Sequence, residues 1–171
     1  DNINANGNSG ASGGTVTISS SDQVINGGYI STTATGGNGG TINTSSDALV
    51  LTGIDAAGNS VNTSAIGGGN GGIVTIVTTS SSPLTVSNGS TTSNGTIGNI
   101  NVSGTNGGFI TLTNYGNQVI NGSLLANGTT GNGGNILFQA DSSSTLTTAI
   151  YGLVQANNNA NNSGLIGFNS D

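Results

Sequence analysis

Few side chains of this chain could take part in chemistry, since only six of its 171 residues carry a formal charge. All six are aspartates, and Lys, Arg, His and Cys are absent. General acid–base catalysis near neutral pH usually needs His, Lys or a tuned carboxylate pair, and a Ser or Thr nucleophile needs a base beside it. The residue types therefore predict no catalytic residues and no enzyme activity. The aspartates are Asp1, Asp22, Asp47, Asp55, Asp141 and Asp171.

Three of these aspartates, Asp22, Asp47 and Asp141, lie in Ser-rich turns of three different repeats. Carboxylates in equivalent turns could ligate calcium or form the acidic pair of a glycosidase. However, an Asp in a turn usually caps its own backbone, and the chain lacks the nonapeptide repeat of calcium-binding β-helices. The absence of Cys also excludes a thiolate site. We therefore expect no metal and no cofactor.

The charge balance limits the kinds of partner. A formal net charge of −6 with no Lys or Arg opposes binding to nucleic acid, because affinity for phosphates depends on those two residues. The chain also has no run of about 18 apolar residues, so we expect no membrane insertion.

Gly, Ser, Thr and Asn dominate the composition, which is typical of disordered chains, so the pattern of the apolar residues has to decide between disorder and a fold. Six times, a pair of small residues precedes an alternating apolar run, at intervals of 26 to 36 residues. Unequal intervals indicate a solenoid whose loops differ in length. The pairs are Gly13-Gly14, Gly39-Gly40, Gly71-Gly72, Gly107-Gly108, Gly133-Gly134 and Ser163-Gly164.

Apolar residues occupy alternate positions after each pair, with Thr44 as the one polar exception. A period of two over four or five residues predicts a half-buried β-strand whose apolar side chains face inward. We interpret this run as the first strand of each coil. Its predicted core residues are Val16, Ile18, Ile42, Val74, Ile76, Ile110, Leu112, Ile136, Phe138, Ile166 and Phe168.

Two further apolar clusters follow in most coils and end at Gly or Asn-Gly, as in QVING at residues 23–27 and 118–122. Three short strands per turn, separated by glycine turns, are what a three-faced parallel β-helix requires. We therefore predict an all-β fold, a right-handed parallel β-helix (β-solenoid) of about five to six coils of three short strands. Residues 1–171 would form a single β-solenoid domain that continues into neighbouring protomers or into a longer chain.

Asparagine precedes the small-residue pair in five successive coils. Stacked at the roughly 4.7–4.9 Å spacing of neighbouring strands, these side chains would form an amide ladder in one turn. The glycines that follow would permit a positive φ and close stacking of the coils at this corner. The predicted ladder consists of Asn38, Asn70, Asn106, Asn132 and Asn162.

The second and third repeats are longer than the first, which predicts protruding loops around residues 56–61 and 90–95. Coil-specific binding would lie in these loops. Outward threonines such as Thr17 and Thr111 also suggest an ice- or glycan-binding face, but Asn43, Leu137 and Gly167 interrupt that column. Binding of ice or glycans by the solenoid is therefore the least favoured of three functions.

Several repeat strings have a family likeness. TATGGNGGTINTSS, GGGNGGIVTIVTT and TTGNGGNILFQA resemble the GNGGxIxI repeats of filamentous-haemagglutinin-like large exoproteins and related bacterial β-strand-repeat adhesins. The resemblance covers nearly the whole chain. It implies a right-handed parallel β-helix, export across a bacterial outer membrane, and a stalk or adhesive role at the cell surface or outside the cell. Host-cell or biofilm glycans would then be partners.

The two ends suggest a different partner. Ile3 is interpreted as part of a third strand, and the sequence stops after the first strand of another coil. Unpaired strand edges invite addition of another chain, so we expect assembly ends at Ile3, Leu165, Ile166 and Phe168, with copies of the same chain as the partner. The preferred function is a structural subunit of an extracellular bacterial fibre that assembles end to end. The alternative is a stalk segment of a secreted haemagglutinin-like adhesin.

Overall fold

A computed structural model describes residues 1–90, 92–140, 147–158 and 162–170. These residues form 20 β-strands, and no helix occurs among them. The strands are β1 (Ile3–Asn4), β2 (Thr15–Ser19), β3 (Val24–Asn26), β4 (Ile30–Ser31), β5 (Ala34–Thr35), β6 (Thr41–Ser46), β7 (Leu49–Leu51), β8 (Asn59–Asn62), β9 (Ala65–Ile66), β10 (Ile73–Thr78), β11 (Leu84–Val86), β12 (Gly95–Thr96), β13 (Asn99–Asn101), β14 (Phe109–Asn114), β15 (Gln118–Ile120), β16 (Ser123–Leu125), β17 (Asn135–Ala140), β18 (Thr148–Ile150), β19 (Leu153–Gln155) and β20 (Leu165–Ser170).

The strands form three parallel sheets of six strands each, and the chain visits the sheets in turn. Sheet one has the order β2-β6-β10-β14-β17-β20, sheet two β3-β7-β12-β11-β15-β18, and sheet three β1-β4-β8-β13-β16-β19. Strands β5 and β9 form a fourth, two-stranded parallel sheet. The predicted all-β parallel β-helix of about six coils is therefore confirmed. Its right-handed sense stays a prediction.

The core lies between the three sheets and consists of columns of like residues. In sheet one, Ile42, Val74, Ile110 and Ile136 follow one another in direct register, and each is at most 1% exposed. Period-two alternation produces this arrangement, since every second side chain of a strand points to the same face. Complete burial of one such side chain contributes about 1.5–3 kcal/mol. The repeated columns therefore make one continuous apolar rod.

A backbone hydrogen bond closes the corner between sheet three and sheet one in every coil. The second residue of each small-residue pair donates its N–H to a carbonyl just beyond the third strand, at 2.6–2.9 Å. We call this contact the corner bond. The six donors and acceptors are Gly14 and Ala5, Gly40 and Thr32, Gly72 and Thr63, Gly108 and Val102, Gly134 and Ala126, and Gly164 and Ala156.

The paired glycines are needed because neighbouring coils approach backbone to backbone at this corner. A Cβ on Gly108 would lie 1.9 Å from the Gly72 carbonyl oxygen, and a Cβ on Gly71 would lie 1.7 Å from the Val102 carbonyl oxygen. Real Cβ atoms do not come this close to another atom. The expectation that these pairs adopt positive φ is wrong, since none of the paired glycines does so. Lack of a side chain is what the corner requires.

Replacing Gly108 by Ala is therefore expected to lower the free energy of unfolding by about 3 kcal/mol or more. Guanidinium unfolding followed by circular dichroism measures the change. Gly27→Ala is the matched control, because the nearest atom to its added Cβ, the Asp1 backbone nitrogen, is 4.0 Å away. That variant should change stability by less than about 1 kcal/mol. Equal losses in the two variants would contradict the steric account.

Candidate functional site

Most predicted core residues of the first strands face the interior. Eight of the eleven are buried: Val16, Ile42, Val74, Ile76, Ile110, Leu112, Ile136 and Phe138. Ile18 is half-buried. Ile166 and Phe168 continue the same inward columns, in register with Ile136 and Phe138, but they are 40% and 57% exposed. Among the described residues no strand lies beyond β20, so the inward position does not bury these two side chains.

The solenoid consequently has two open edges of unequal exposure. The upper edge, formed by β18, β19 and β20, exposes the inward side chains of Ile150, Ile166 and Phe168. The Phe168 ring stacks on Phe138 with a centroid distance of 5.0 Å and leaves its other face uncovered by any described residue. The predicted end residue Leu165 points outward from the same strand and is 62% exposed.

The lower edge is formed by β1, β2 and β3. Its inward residues are better covered than those of the upper edge, since Val16 is buried and Ile3, Ile18 and Val24 are half-buried. All four pack against the core cluster. The predicted assembly residues thus lie at opposite ends, with Ile3 at the lower edge and the other three at the upper edge.

The predicted asparagine ladder forms one column, but mostly through the backbone. The Asn70 N–H donates to the Asn38 Oδ1 at 2.9 Å, and the Asn132 N–H donates to the Asn106 Oδ1 at 2.7 Å. Among the described contacts of this column, one bond, from Asn106 Nδ2 to Asn70 Oδ1 at 2.7 Å, joins two amide side chains. Asn162 tops the column, and its carbonyl accepts a glycine N–H from the coil below at 2.9 Å. The expectation that each side chain bonds its neighbours needs this correction.

Sequence reasoning missed further columns of the same kind. Beyond sheet three, the Thr33 N–H donates to Asn6 Oδ1 at 2.9 Å and the Asn157 N–H donates to Asn127 Oδ1 at 3.0 Å. The residue type varies along this column, which hides it in the sequence, although the position three residues after each inward strand-three residue is polar throughout. At the corner after sheet two, the Tyr29 backbone N–H donates to Asn2 Oδ1 at 3.2 Å, and the Ser123 backbone N–H donates to Asn99 Oδ1 at 2.8 Å.

The two predicted loops are only partly right: residues 56–58 lie in the loop after β7 and Ser90 in the loop after β11, but both predicted ranges run into a strand. Residues 59–62 form the buried strand β8, in which Val61 is 1% exposed, so the loop after β7 covers only residues 52–58. In the second segment, Gly95 and Thr96 form β12, which is buried in sheet two between β7 and β11. The chain reaches this position by an excursion after β11 that turns back toward the preceding coil. Sheet two therefore contains one strand that the repeat pattern did not predict.

A buried asparagine at the base of this excursion fills the corner beside β12. Asn94 is fully buried, and its Oδ1 accepts the N–H of Leu49, the first residue of β7, at 3.1 Å. Its Nδ2 lies 3.3 Å from both the Ser82 carbonyl oxygen and the Thr78 Oγ1. Thr78 in turn donates to Asn114 Oδ1 at 2.7 Å. Leu49 is the one residue of β7 without a partner residue in β12, and the Asn94 side chain accepts its N–H instead.

Asn94→Ala is expected to destabilise the fold by about 1–3 kcal/mol, because it leaves the interior N–H of Leu49 without its acceptor. Urea unfolding gives the free energy, and amide hydrogen exchange reports on Leu49 itself. Asn88→Ala, at an exposed position of the same excursion, is the control and should be nearly neutral. Unchanged exchange at Leu49 in Asn94→Ala would count against this role.

Among the described aspartates, Asp55, in the loop between β7 and β8, has the most hydrogen-bonded carboxylate. Its Oδ1 accepts the N–H groups of Ala57 and Asn59 at 2.8 and 2.9 Å, and its Oδ2 accepts the Asn62 amide at 2.7 Å. Partial burial raises the pKa of Asp55, but the hydrogen bonds from Asn59, Asn62 and Ala57 outweigh it and hold the pKa below the ordinary value for an aspartate. The carboxylate closes its own loop and has a structural role.

Asp55 gives the fold a defined pH dependence. Because its pKa is lower in the folded state, the ionised carboxylate stabilises the fold above the unfolded-state pKa of about 3.9, and this contribution is lost as the pH falls through the folded-state value. Asp55→Asn should therefore be less stable at pH 7, by about 1–2 kcal/mol, and should flatten the acid limb of the stability curve. Thermal unfolding from pH 2 to 7 checks this. Asp22→Asn is the equal-charge control, and the same flattening there would contradict the assignment.

The other predicted candidates form no metal site among the described residues. The Asp47 N–H donates to the Asp22 carbonyl oxygen at 3.3 Å, so the two residues stack one coil apart. The Asp47 carboxylate accepts Thr79 Oγ1 at 3.4 Å. In the part of the chain that the structure describes, no three carboxylates come together as metal ligands. Asp141 lies outside that part.

The outer face of sheet one is not a regular threonine array. One outward column reads Thr17, Asn43, Thr75, Thr111, Leu137 and Gly167 in direct register, and the neighbouring column reads Thr15, Thr41, Ile73, Phe109, Asn135 and Leu165. A flat ice-binding surface would need threonine at the same places on every coil. The observed columns mix threonine with large apolar residues.

Comparisons with known proteins identify no family for this chain. The chain matches no protein-family model, no curated protein and no solved structure. Its likeness to haemagglutinin-like exoproteins stays a prediction from the repeat strings. No helix of membrane-spanning length and hydropathy occurs among the described residues.

Proposed function

We propose that this protein is a structural subunit of an extracellular bacterial fibre, in which copies stack end to end through the upper and lower edges. The single observation that carries the proposal is the upper edge. There Ile150, Ile166 and Phe168 expose an apolar cross-section of the core, next to the outer edges of three parallel strands. Exposed edge strands bind further strands, and apolar surface gains about 25 cal/mol per Å² when it is buried.

The composition fits a structural task. The interior is built from repeated apolar columns, and the corners are held by backbone and amide hydrogen bonds. Most of the inward side chains at the two edges are apolar, so cohesion would come from strand pairing and apolar burial. A partner with the same stacked columns would satisfy both requirements.

The proposal predicts filaments from the purified 171-residue chain. Negative-stain electron microscopy should show fibres one solenoid wide, and sedimentation should show growth with protein concentration. Phe168→Lys places a charge on the exposed apolar cross-section and should give folded monomers by circular dichroism. Thr111→Lys, on the outer face of sheet one, is the matched control and should still form fibres.

Discrete monomers of the unaltered chain at high concentration would overturn the fibre proposal. They would favour the alternative, a stalk segment of a secreted haemagglutinin-like adhesin, in which further coils of the same polypeptide cover the upper edge. Filaments formed equally well by Phe168→Lys would show that the upper edge is not the contact.

A further inference from the structure

The number of strands in each sheet bears on how two copies could join. Each of the three sheets contains six strands. In sheets one and three, every strand comes from a different coil, and β1 and β20 supply the outermost ones. Sheet two has neither of these strands, and without β12 it would contain only five. The inserted strand therefore gives the three walls of the solenoid the same number of strands.

Resting on the fibre function proposed above, we infer that copies join in one register in which all three sheets continue without a vacant strand position. In this junction β20 pairs with β2 of the next copy, β18 pairs with β3, and β19 pairs with β1. The inserted strand β12 is what permits β18 to pair with β3 at the same height as the other two pairs. Each copy then advances the fibre by six strands, or about 29 Å at about 4.8 Å per strand.

The inward side chains of sheets one and three match in this register. Extending the columns of sheet one sets Ile166 on Val16 and Phe168 on Ile18 of the next copy, since each pair belongs to one column. In sheet three the same extension sets Val154 on Ile3. In sheets one and three, apolar residues of the lower edge thus meet apolar residues of the upper edge, whereas in sheet two Ile150 would lie on Asn26. A shift by one residue would turn these side chains to the outer face.

The corner columns also have complementary ends. Along the solenoid, the N–H of an upper coil repeatedly donates to the side-chain oxygen of the coil below, as Asn38 donates to Ser12 at 3.2 Å and Asn157 donates to Asn127 at 3.0 Å. The exposed side chains of Asn157 and Asn162 stand at the top of two such columns. In the proposed register they lie below the Asn6 and Ser12 N–H groups of the next copy and can accept from them.

The open space beside Gly14 provides a second, steric test of the same junction. In the other coils, a Cβ on the second glycine would lie 1.7–2.2 Å from the carbonyl oxygen of the second glycine below, as at Gly40 and Gly164. Among the described residues, no coil lies below Gly14, and its Cβ would meet only Ala5, at 3.1 Å or more. A copy stacked in the proposed register would bring the Gly164 carbonyl oxygen to that open side.

Cysteine cross-linking tests the register, because the chain has no cysteine of its own. Two double variants place cysteines in directly opposed outward positions, Thr15→Cys with Leu165→Cys across sheet one and Ile25→Cys with Ala149→Cys across sheet two. Neighbouring strands hold opposed Cα atoms about 4.8 Å apart, which is within the usual 4.4–6.8 Å range of disulfides. Within one copy, each pair is separated by five strand spacings, about 24 Å, so only junctions can be linked.

Oxidation of preformed filaments should give a ladder of covalent multimers for both pairs on a non-reducing denaturing gel. Ser19→Cys with Leu165→Cys is the mismatched control, offset by about 13 Å along the strand, and should stay at least ten-fold less linked. Filaments in which the sheet-two pair does not link would overturn the role of β12 while leaving the fibre function standing. Dimers from Leu165→Cys alone would overturn the register, since two upper edges would then meet.

A substitution at Gly14 tests the junction independently of the cross-links. Gly14→Ala should keep the melting temperature of the monomer within a few degrees and reduce filament mass at least ten-fold, whereas Gly27→Ala should assemble normally. Unimpaired filaments from Gly14→Ala would contradict the proposed stacking at this corner. Absence of filaments from the unaltered chain is a separate result, which would remove the fibre function itself.

Discussion

The corner bond between sheet three and sheet one is the constraint on which the rest of the solenoid depends. It recurs in all six coils with nearly the same length, although six to nine residues separate its donor from its acceptor. Because the backbones of successive coils touch there, each first strand starts at a fixed height and phase. Sheet one, which begins directly after the corner, pairs along its whole length without a bulge.

The other two sheets are less regular than sheet one. Sheet three has a register shift between Asn99 and Ile100, and sheet two contains the inserted strand β12. Both irregularities occur where loops of unequal length precede the strand, so the chain can change height before it pairs. These shifts in strand height do not accumulate from coil to coil, since the next corner bond returns the chain to the same position relative to the coil below. Variable loops are therefore compatible with an ordered stack.

This difference explains what the sequence could predict. The first strands and their inward residues could be read from period-two alternation after each glycine pair, because pattern and position are local there. The strand β12 could not be predicted, because Gly95 and Thr96 have no apolar alternation and lie in the sheet only through pairing with Val50 of the preceding coil and Thr85 of β11. The bonds of Asn94 depend on the same non-local arrangement. At the edges, Ile166 and Phe168 have the inward phase of the repeat, but exposure depends on whether another strand follows.

At the corners of this fold, asparagine side chains accept backbone N–H groups, as carbonyl oxygens do in the sheets. Strand pairing satisfies N–H groups along the three faces, but at the corners the chain turns and the regular ladder stops. There the Oδ1 atoms of Asn38, Asn106 and Asn127 accept the N–H of the next coil at the distances of ordinary strand pairing. This also accounts for the nearly uncharged composition. Ion pairs need partners of both signs, whereas an amide column can add a coil without a change of charge.

The inserted strand changes where the chain rises from one level to the next. Counted from the lower edge, β6 and β7 are both second in their sheets and β8 is third, so the early coils rise after sheet two. Later, β14 is fourth while β15 and β16 are both fifth, so the rise occurs before sheet two. The rise from β7 to β8 uses a long linker, residues 52–58, whereas only residues 121–122 connect β15 to β16, which lie at one level. Strand β12 fills the level that would otherwise be empty where the two arrangements meet. An extra strand placed inside one wall thus determines the level at which that wall ends.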